Sequence, residues 1–440
     1  MKEPLPAKIL PPQGVAPILK VGIVLEEDDC RKLTISPTHF DYKLTGKEDP
    51  YYLMAGRHYV IEPHQAKLVI KPAIAGDPAV ELDAPIYIEP PTAAPLTPQC
   101  GLQLSELRVG RGFHWESHMS QILPGRFEIC SNQGQLLVLN SLPLEDYLAC
   151  VLSSEMSPDA PIEFCKAQII AARSWAWVFL RNKHPHKPYA ICNDDDCQRY
   201  RGTTDLTQAA ACAAQACRGE FLVTQDGCVC PAYYSKSCGG HMESAPNVFG
   251  FDAPGLGADY DCQAKLRPPW RLENEADFRA FLQSTQGAYF CGNETELKRY
   301  LSRVDLDGDY FRWEYTLTAE DLLSNLANKF GIMDARHISD LICGPRGKSG
   351  RLLAMQIRYV TTQGGTRTLA LEDQYEIRRA LHPSFLFSSA FFMECKRERE
   401  GQLASLKLRG AGWGHGVGLC QMGAVGMAQA GYAYVTILKL

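Results

Sequence analysis

The 440-residue sequence has no apolar run near the ~18 residues that a membrane-spanning helix needs, which excludes such a span within it. It also lacks a surplus of positive charge. Its 45 Lys and Arg stand against 50 Asp and Glu, a formal net charge of -5, which excludes a nucleic-acid binder working by bulk charge. The opening stretch "MKEPLPAKILPPQG" has no apolar signal core. The expectation from it is a chain that stays in the cytoplasm or one whose leader has been removed. No repeat of fixed period runs through the sequence.

What is present is ordinary in bulk: 45% hydrophobic and 22% charged residues, as in a soluble globular protein. The length suits one large domain or two to three ordinary ones. Seventeen cysteines are the odd total. A secreted disulfide scaffold would be short, with an even number. Most are therefore read as reduced thiols, with Cys150, Cys165 and Cys212 as small core residues.

Short β patterns such as "KVGIVLE", "HYVIE" and "APIYIEP" fill residues 18–90, and "EPPTAAPLTPQCG" (Glu89–Gly101) is a Pro-rich connector. Beyond Pro143 the pattern turns helical, first in "LPLEDYLACVLSSEMS", then in "APIEFCKAQIIAARSWAWVFLRNK", with Pro161 suited to a first helical position. A helix at Leu206–Arg218 precedes strands at "EFLVTQDG" and "CVCPAYYS", and a final helix starts near Gln421. The order predicts an α+β fold, an antiparallel β-rich framework with an inserted helical block. It divides the chain into a β-rich region at 1–100 and a motif-bearing region at 101–440, with a mostly helical insert at about 265–340.

Glu155 follows Val151 by four residues and Leu152 by three, so it falls on the apolar stripe of its helix. Burial there disfavours the charged carboxylate and suits a general acid. A solvated or salt-bridged helix-end Glu is the alternative. Lys166 and Arg173 are seven apart on the second helix, sharing a face with Ile169, Ile170 and Trp177. They want a carboxylate or a polar ligand, unless they simply snorkel. One acid without a paired carboxylate does not suit an ordinary two-carboxylate glycosidase.

"HPHKPYAICNDDDCQRYRG" sets His186, Cys192 and Cys197 at H-x5-C-x4-C, with His184 and Asp194–Asp196 as spare ligands. Zinc, a Cys192–Cys197 disulfide and bare thiols all fit that spacing. "CGPRGKSG" is no phosphate loop, because Ile342 stands where Gly is needed. In "RGAGWGHGVGLCQMGA", glycine occupies every second position from Gly410 to Gly418. If extended, that stretch offers bare backbone on one side and Trp413 and His415 on the other, a surface suited to carbohydrate. His415 and Cys420 could also be read as a thiol–base pair of a hydrolase.

"LPLEDYLACVLSSEM", "KAQIIAARSWA", "CQRYRG", "SCGGHMES", "KSGR" and "GAGWGHGVGLCQMGAVGMAQAGY" occur in the order seen in the SpoIID/LytB family, which the chain resembles over Ser141–Leu440. The resemblance implies lytic transglycosylase action on peptidoglycan, leaving a 1,6-anhydro sugar. In the LytB branch it implies enhancement of a cell-wall amidase instead. It carries the catalytic acid to Glu155, with Lys166 and Arg173 as its companions. Substrate-binding candidates are Gln198, Ser235, Ser237, Trp413, His415 and Gln421. It implies no cofactor for the chemistry and a structural zinc near His186, Cys192 and Cys197. Expected partners are peptidoglycan glycan strands and a cell-wall amidase, not nucleic acid, and the expected location is the cell envelope. Two departures stand out: Ser157 separates Glu155–Met156 from Pro158, and Tyr234 stands where the family has His.

Overall fold

The computed structural model describes residues 17–45, 51–74, 78–92, 94–113, 115–157, 159–284, 289–302, 305, 309–398 and 401–440. The chain forms two compact units, residues 2–229 with 300–304, and residues 230–299 with 305–440. Both mix helices with mainly antiparallel sheets, the α+β class expected from the sequence.

The N-terminal unit begins with twelve strands: β1 (Ile18–Val24), β2 (Leu33–Pro37), β3 (Tyr42–Thr45), β4 (Tyr51–Leu53), β5 (Tyr59–His64), β6 (Lys67–Pro72), β7 (Val80–Asp83), β8 (Ile86–Glu89), β9 (Leu102–Val109), β10 (Ser117–Leu123), β11 (Arg126–Asn132) and β12 (Gln135–Pro143). Helices α1 (Leu144–Glu155) and α2 (Ile162–Phe179), the short β13 (Ile191–Cys192) and α3 (Gln208–Ala216) come next. One sheet has the order β13-β1-β12-β11-β8-β3-β4, the other β10-β9-β2-β5-β6-β7. In β9, Leu102 and Leu104 alternate into the core, and Glu106 takes a left-handed φ of 58°. The resulting bulge restores the parity, so Leu107 and Val109 continue the buried face.

Because β1 pairs with β12 and β2 with β9, the stretch before residue 100 is woven into the strands after it. The boundary expected at 100/101 is therefore not a domain boundary. The connector at Glu89–Gly101 only joins β8 to β9.

Strand β12 runs straight into α1 at Pro143, whose φ of -57° already fits a helix, and Glu145 and Asp146 complement the positive helix end. The pattern predicts a one-sided apolar stripe. Instead every residue from Tyr147 to Glu155 is buried, because α2 and α3 both pack on α1. Ser153 and Ser154 survive there by returning their hydroxyls to Ala149 O and Cys150 O, at 3.0 and 2.8 Å. All seventeen cysteines are unpaired; Cys150 and Cys165 are buried as expected, but Cys212 is exposed on α3.

The C-terminal unit holds β14 (Tyr234–Ser235), α4 (Ala245–Phe249), α5 (Glu275–Leu282), α6 (Glu294–Leu297), β15 (Trp313–Thr318), α7 (Ala319–Phe330), β16 (Ala335–Cys343), β17 (Met355–Thr361), β18 (Thr366–Leu371), α8 (Gln374–Ala380), β19 (Phe391–Arg397), β20 (Leu403–Gly410), β21 (Leu419–Cys420), α9 (Gln421–Gln429) and α10 (Tyr434–Ile437). Its sheets are β15-β20-β19, β16-β17-β18 and the parallel pair β14-β21. Leu322 and Leu326 of α7 pack with Ile338, Ile357, Leu406 and Leu408 from the two larger sheets.

The insert expected to be mostly helical at 265–340 is only partly so, since β15 and the start of β16 lie inside it and join those sheets. The strands expected in "EFLVTQDG" and "CVCPAYYS" shrink to a single Val223–Val229 bridge and the two residues of β14. No helix among the described residues is long and apolar enough to cross a membrane.

Candidate functional site

The predicted site residues divide between the units. Glu155, Lys166, Arg173, His186, Cys192, Cys197 and Gln198 belong to the N-terminal unit, and Ser235, Ser237, Trp413, His415 and Gln421 to the other.

Glu155 ends α1 with 6% of its surface exposed. Its carboxylate accepts the backbone N–H of Arg199 at 3.3 Å. The Arg199 guanidinium lies over the Trp115 ring, 4.7 Å from its centroid, and is paired with Asp195 at 3.1 Å. It also donates to Ser302 Oγ at 3.2 Å, while Ser157 N–H donates to Tyr300 O at 2.8 Å. Glu155 is thus nearly dry and held by the backbone of Arg199, whose guanidinium is engaged elsewhere.

The two cations of α2 part company. Lys166 is partly exposed and pairs with Glu163 at 2.8 Å, one turn back on its own helix. Arg173 is completely buried and holds Glu145 of α1 with two bonds of 3.1 and 2.5 Å; its third donor reaches Glu220 O at 3.0 Å. This pair staples α2 to α1. Gln198 also faces inward, donating to Ala172 O at 3.1 Å and accepting from Tyr147 Oη at 3.1 Å. Glu145, Trp115 and Arg199 are not singled out by the sequence. Only the position of Glu145 in a first helical turn hints at a role.

Upstream of Arg199 a ligand cluster forms from His184, Cys192, Asp196 and Cys197, with their donor atoms all within 4.8 Å of one another. His184 Nε2 lies 3.2 Å from Cys197 Sγ, which also accepts the N–H of Cys192 at 3.3 Å. His186, the residue expected here, is exposed and outside the cluster. The chain bends through 181–190, so of two histidines only two residues apart just one turns inward. The hydrogen bond from Cys197, then His184, brings the Cys192 thiol down to about 6, whereas burial raises Cys197. The loop is anchored by Arg111, fixed to Asp28 at 2.6 Å and bonded to Asn193 and Asp194. Two thiols, one imidazole and one carboxylate form a donor set that suits zinc.

In the C-terminal unit the glycine stretch is not extended. Gly412, Gly414, Gly416 and Gly418 have φ of 80°, 98°, 79° and 73°, values side chains rarely adopt. The ribbon winds around the buried Arg351, whose Nη2 reaches Gly414 O at 3.4 Å. It also packs against Tyr233, since a β-carbon on Gly418 would meet Tyr233 O at 2.1 Å. No bare face results. Trp413 is buried and stacked on Tyr310 at 4.2 Å, and its backbone exchanges two bonds with Ser237, 3.1 and 2.8 Å. His415 is half-buried, edge-on to Phe249 at 5.3 Å, and accepts the Val417 N–H at 3.0 Å. Burial first, then the charges of Arg351 and Arg378, push it down to about 3, so it is neutral at pH 7. Ser235 Oγ and Gln421 Nε2 are buried without a hydrogen-bond partner among the described residues.

Glu243 explains why "SCGGHMES" and "KSGR" accompany the ribbon. It accepts from Ser349 N and Oγ at 3.0 and 2.6 Å, Lys348 N at 3.1 Å, Ser244 N at 2.9 Å and Asn247 Nδ2 at 2.9 Å. Burial would raise this carboxyl, but those donors bring it below its ordinary value. Beside it lies an open cleft of about 720 Å3, lined by His241, Trp270, Arg271, Asn274 and Lys348.

Residues 132–223, which contain Glu155, both α2 cations and the thiol–histidine loop, match the family model described as stage II sporulation protein. Residues 258–418 match a domain of unknown function, DUF8618. An uncharacterised protein of Brachyspira hyodysenteriae is 30% identical over 306 residues, 69% of this chain and 66% of that protein. The amidase enhancer of Bacillus subtilis is 24% identical over 299 residues, 66% of this chain and 38% of that protein. The chain thus spans less than two thirds of the length of either relative. Through its segment at 132–223, the chain belongs to the stage II sporulation protein (SpoIID) family.

Proposed function

We propose that the chain acts on the bacterial cell wall, cleaving the glycan strands of peptidoglycan in the cell envelope with Glu155 as the proton-transferring residue. The observation that carries this reading is the nearly dry carboxyl of Glu155 at the end of α1, inside the family-matched segment. Protonated, Glu155 gives its proton to the bridging oxygen as the anomeric C–O bond breaks. The C6 hydroxyl of the same sugar then attacks the anomeric carbon and returns a proton to Glu155, closing the 1,6-anhydro ring. One carboxyl suffices for both transfers, so no second acid is needed.

The partly exposed Lys166 is the cation for sugar substituents, Arg173 is a positioning residue acting through α1, and Arg199 holds Glu155 through its backbone N–H. Trp413 and Gln198 are occupied internally. A zinc ion held by His184, Cys192, Asp196 and Cys197 would brace the loop that carries Arg199.

Glu155→Gln should cut anhydro-sugar release from purified sacculi, read by mass spectrometry, by about 100-fold or more with the fold intact. Undiminished release would reject the assignment. The name of the Bacillus subtilis relative favours a second reading, that the chain binds peptidoglycan and enhances an amidase. In that case adding the chain would speed a purified amidase on sacculi, no anhydro product would form, and Glu155→Gln would leave the enhancement unchanged.

A further inference from the structure

A second group of metal-ligand side chains lies in the core of the C-terminal unit. Cys238, Asp261, Cys291 and Cys420 are all buried, with their donor atoms within 4.8 Å of one another. They come from four separate stretches: the turn after β14, the segment between α4 and α5, the turn before α6, and the N-cap of α9. Cys238 Sγ and Cys291 Sγ are 3.8 Å apart.

Backbone donors already serve these atoms as they would serve thiolates. Gly240 N–H points at Cys238 Sγ at 3.3 Å, and Cys238 and Gly423 N–H at Cys420 Sγ at 3.2 and 3.3 Å. Cys291 N–H donates to Asp261 Oδ2 at 2.9 Å. The opposite wall is kept clear by glycine, since a β-carbon on Gly423 would sit 2.4 Å from Asp261 Oδ1. A positive charge stands close by: Arg351, fully buried, donates to Cys238 O at 3.4 Å.

We propose that Cys238, Cys291, Cys420 and Asp261 bind one tetrahedral zinc ion that locks the C-terminal unit together. Tetrahedral thiolates at the usual Zn–S length of about 2.3 Å lie about 3.8 Å apart, which is the Cys238–Cys291 separation. An iron–sulfur cluster puts several metal atoms between its ligands and needs them farther apart. A disulfide needs sulfurs about 2.05 Å apart and would leave Cys420 and Asp261 facing each other in the dry interior. Three thiolates and a carboxylate around Zn2+ carry a net double negative charge, which Arg351 offsets in part. With all four positions filled by buried protein ligands the site is closed, so its role is structural. It also fixes the start of α9, directly after the glycine ribbon.

The full chain with Cys192→Ser and Cys197→Ser, which disables the other thiol cluster, should retain about one zinc per chain by elemental analysis. Exchanged with cobalt, it should show thiolate-to-cobalt charge transfer in the near ultraviolet. Loss of all metal, or a Cys238–Cys291 disulfide in peptides from the unreduced chain, would overturn the proposal. A second variant does not depend on the first folding: Asp261→Cys in the otherwise unchanged chain adds a fourth thiolate, so the cobalt charge-transfer band should grow. An unchanged band would sink the assignment.

Discussion

Gly416 lies flat against the guanidinium of Arg351: a β-carbon there would stand 2.5 Å from Arg351 Cζ and 2.6 Å from Nη1. With its φ of 79°, the position is closed to other residues twice over, by backbone conformation and by contact. Gly416→Ala should therefore destabilise the protein by more than the roughly 1–2 kcal/mol that left-handed backbone costs alone. Gly364→Ala is the control, with φ of 85° and nothing within 4 Å of the added carbon, and should cost only the backbone share. Denaturant unfolding of both variants checks this, and equal losses would refute the packing argument.

The Arg173–Glu145 pair is expected to act on stability more than on substrate binding. Removing Glu145 strands Arg173 as a fully buried charge, so Glu145→Ala should cost about 3–5 kcal/mol, and Arg173→Ala, which leaves the partly exposed Glu145, should cost less. Arg173→Lys should also be costly, because an ammonium cannot make the two parallel bonds. Urea midpoints measure all three. A fully stable Arg173→Ala protein that fails only to bind sacculi would show a substrate-binding role instead.

How far the sequence could be read depends on the range of each signal. The burial of Glu155 agrees with its place beside Val151 and Leu152, but since every residue from Tyr147 to Glu155 is buried, it is the packing of α2 and α3 on α1, and not the stripe, that decides it. The helix starts at Pro143 and Pro161 were legible because a helix-start signal is local. The glycine ribbon was misread, since period two suggests a strand, and the demand for positive φ comes from Arg351 and Tyr233, far away in the chain. Trp413 looked available to sugar only because its stacking partner Tyr310 is not a neighbour in sequence. Spacing found Cys192 and Cys197 but favoured His186, whereas the fold turns His184 inward. The core cluster gave no spacing signal at all, as Cys238 and Cys420 are 182 residues apart.

That choice of histidine gives a direct comparison. His184→Ala should weaken zinc binding at the Cys192–Cys197 loop by about tenfold or more, the scale on which even indirect supports of a metal act. His186→Ala, altering an exposed side chain, should leave the metal content unchanged. Zinc competition against a chromophoric chelator measures both. A loss confined to His186→Ala would return the ligand to the position that spacing first suggested.

His415 should make stability depend on pH. In the folded chain it is pushed down to about 3, by burial first and then by Arg351 and Arg378, whereas in the unfolded chain it titrates near an ordinary value of about 6.5. Between those values the unfolded state binds the extra proton, so acidification favours unfolding. The contribution of a neutral His415 is complete above about 6.5 and is lost progressively toward about 3. His241, also lowered mainly by burial, adds a loss of the same sign, so the wild-type curve alone cannot isolate His415. Glu243, whose carboxyl lies below its ordinary 4.5, stays ionised at pH 5 and drops out of a comparison between pH 7 and 5. Over that interval His415→Asn, whose Oδ1 can still accept the Val417 N–H, should lose less stability in urea than the wild type. Equal losses would mean that His415 titrates alike in the folded and unfolded chains, and that burial and the cations around it do not hold its charge off.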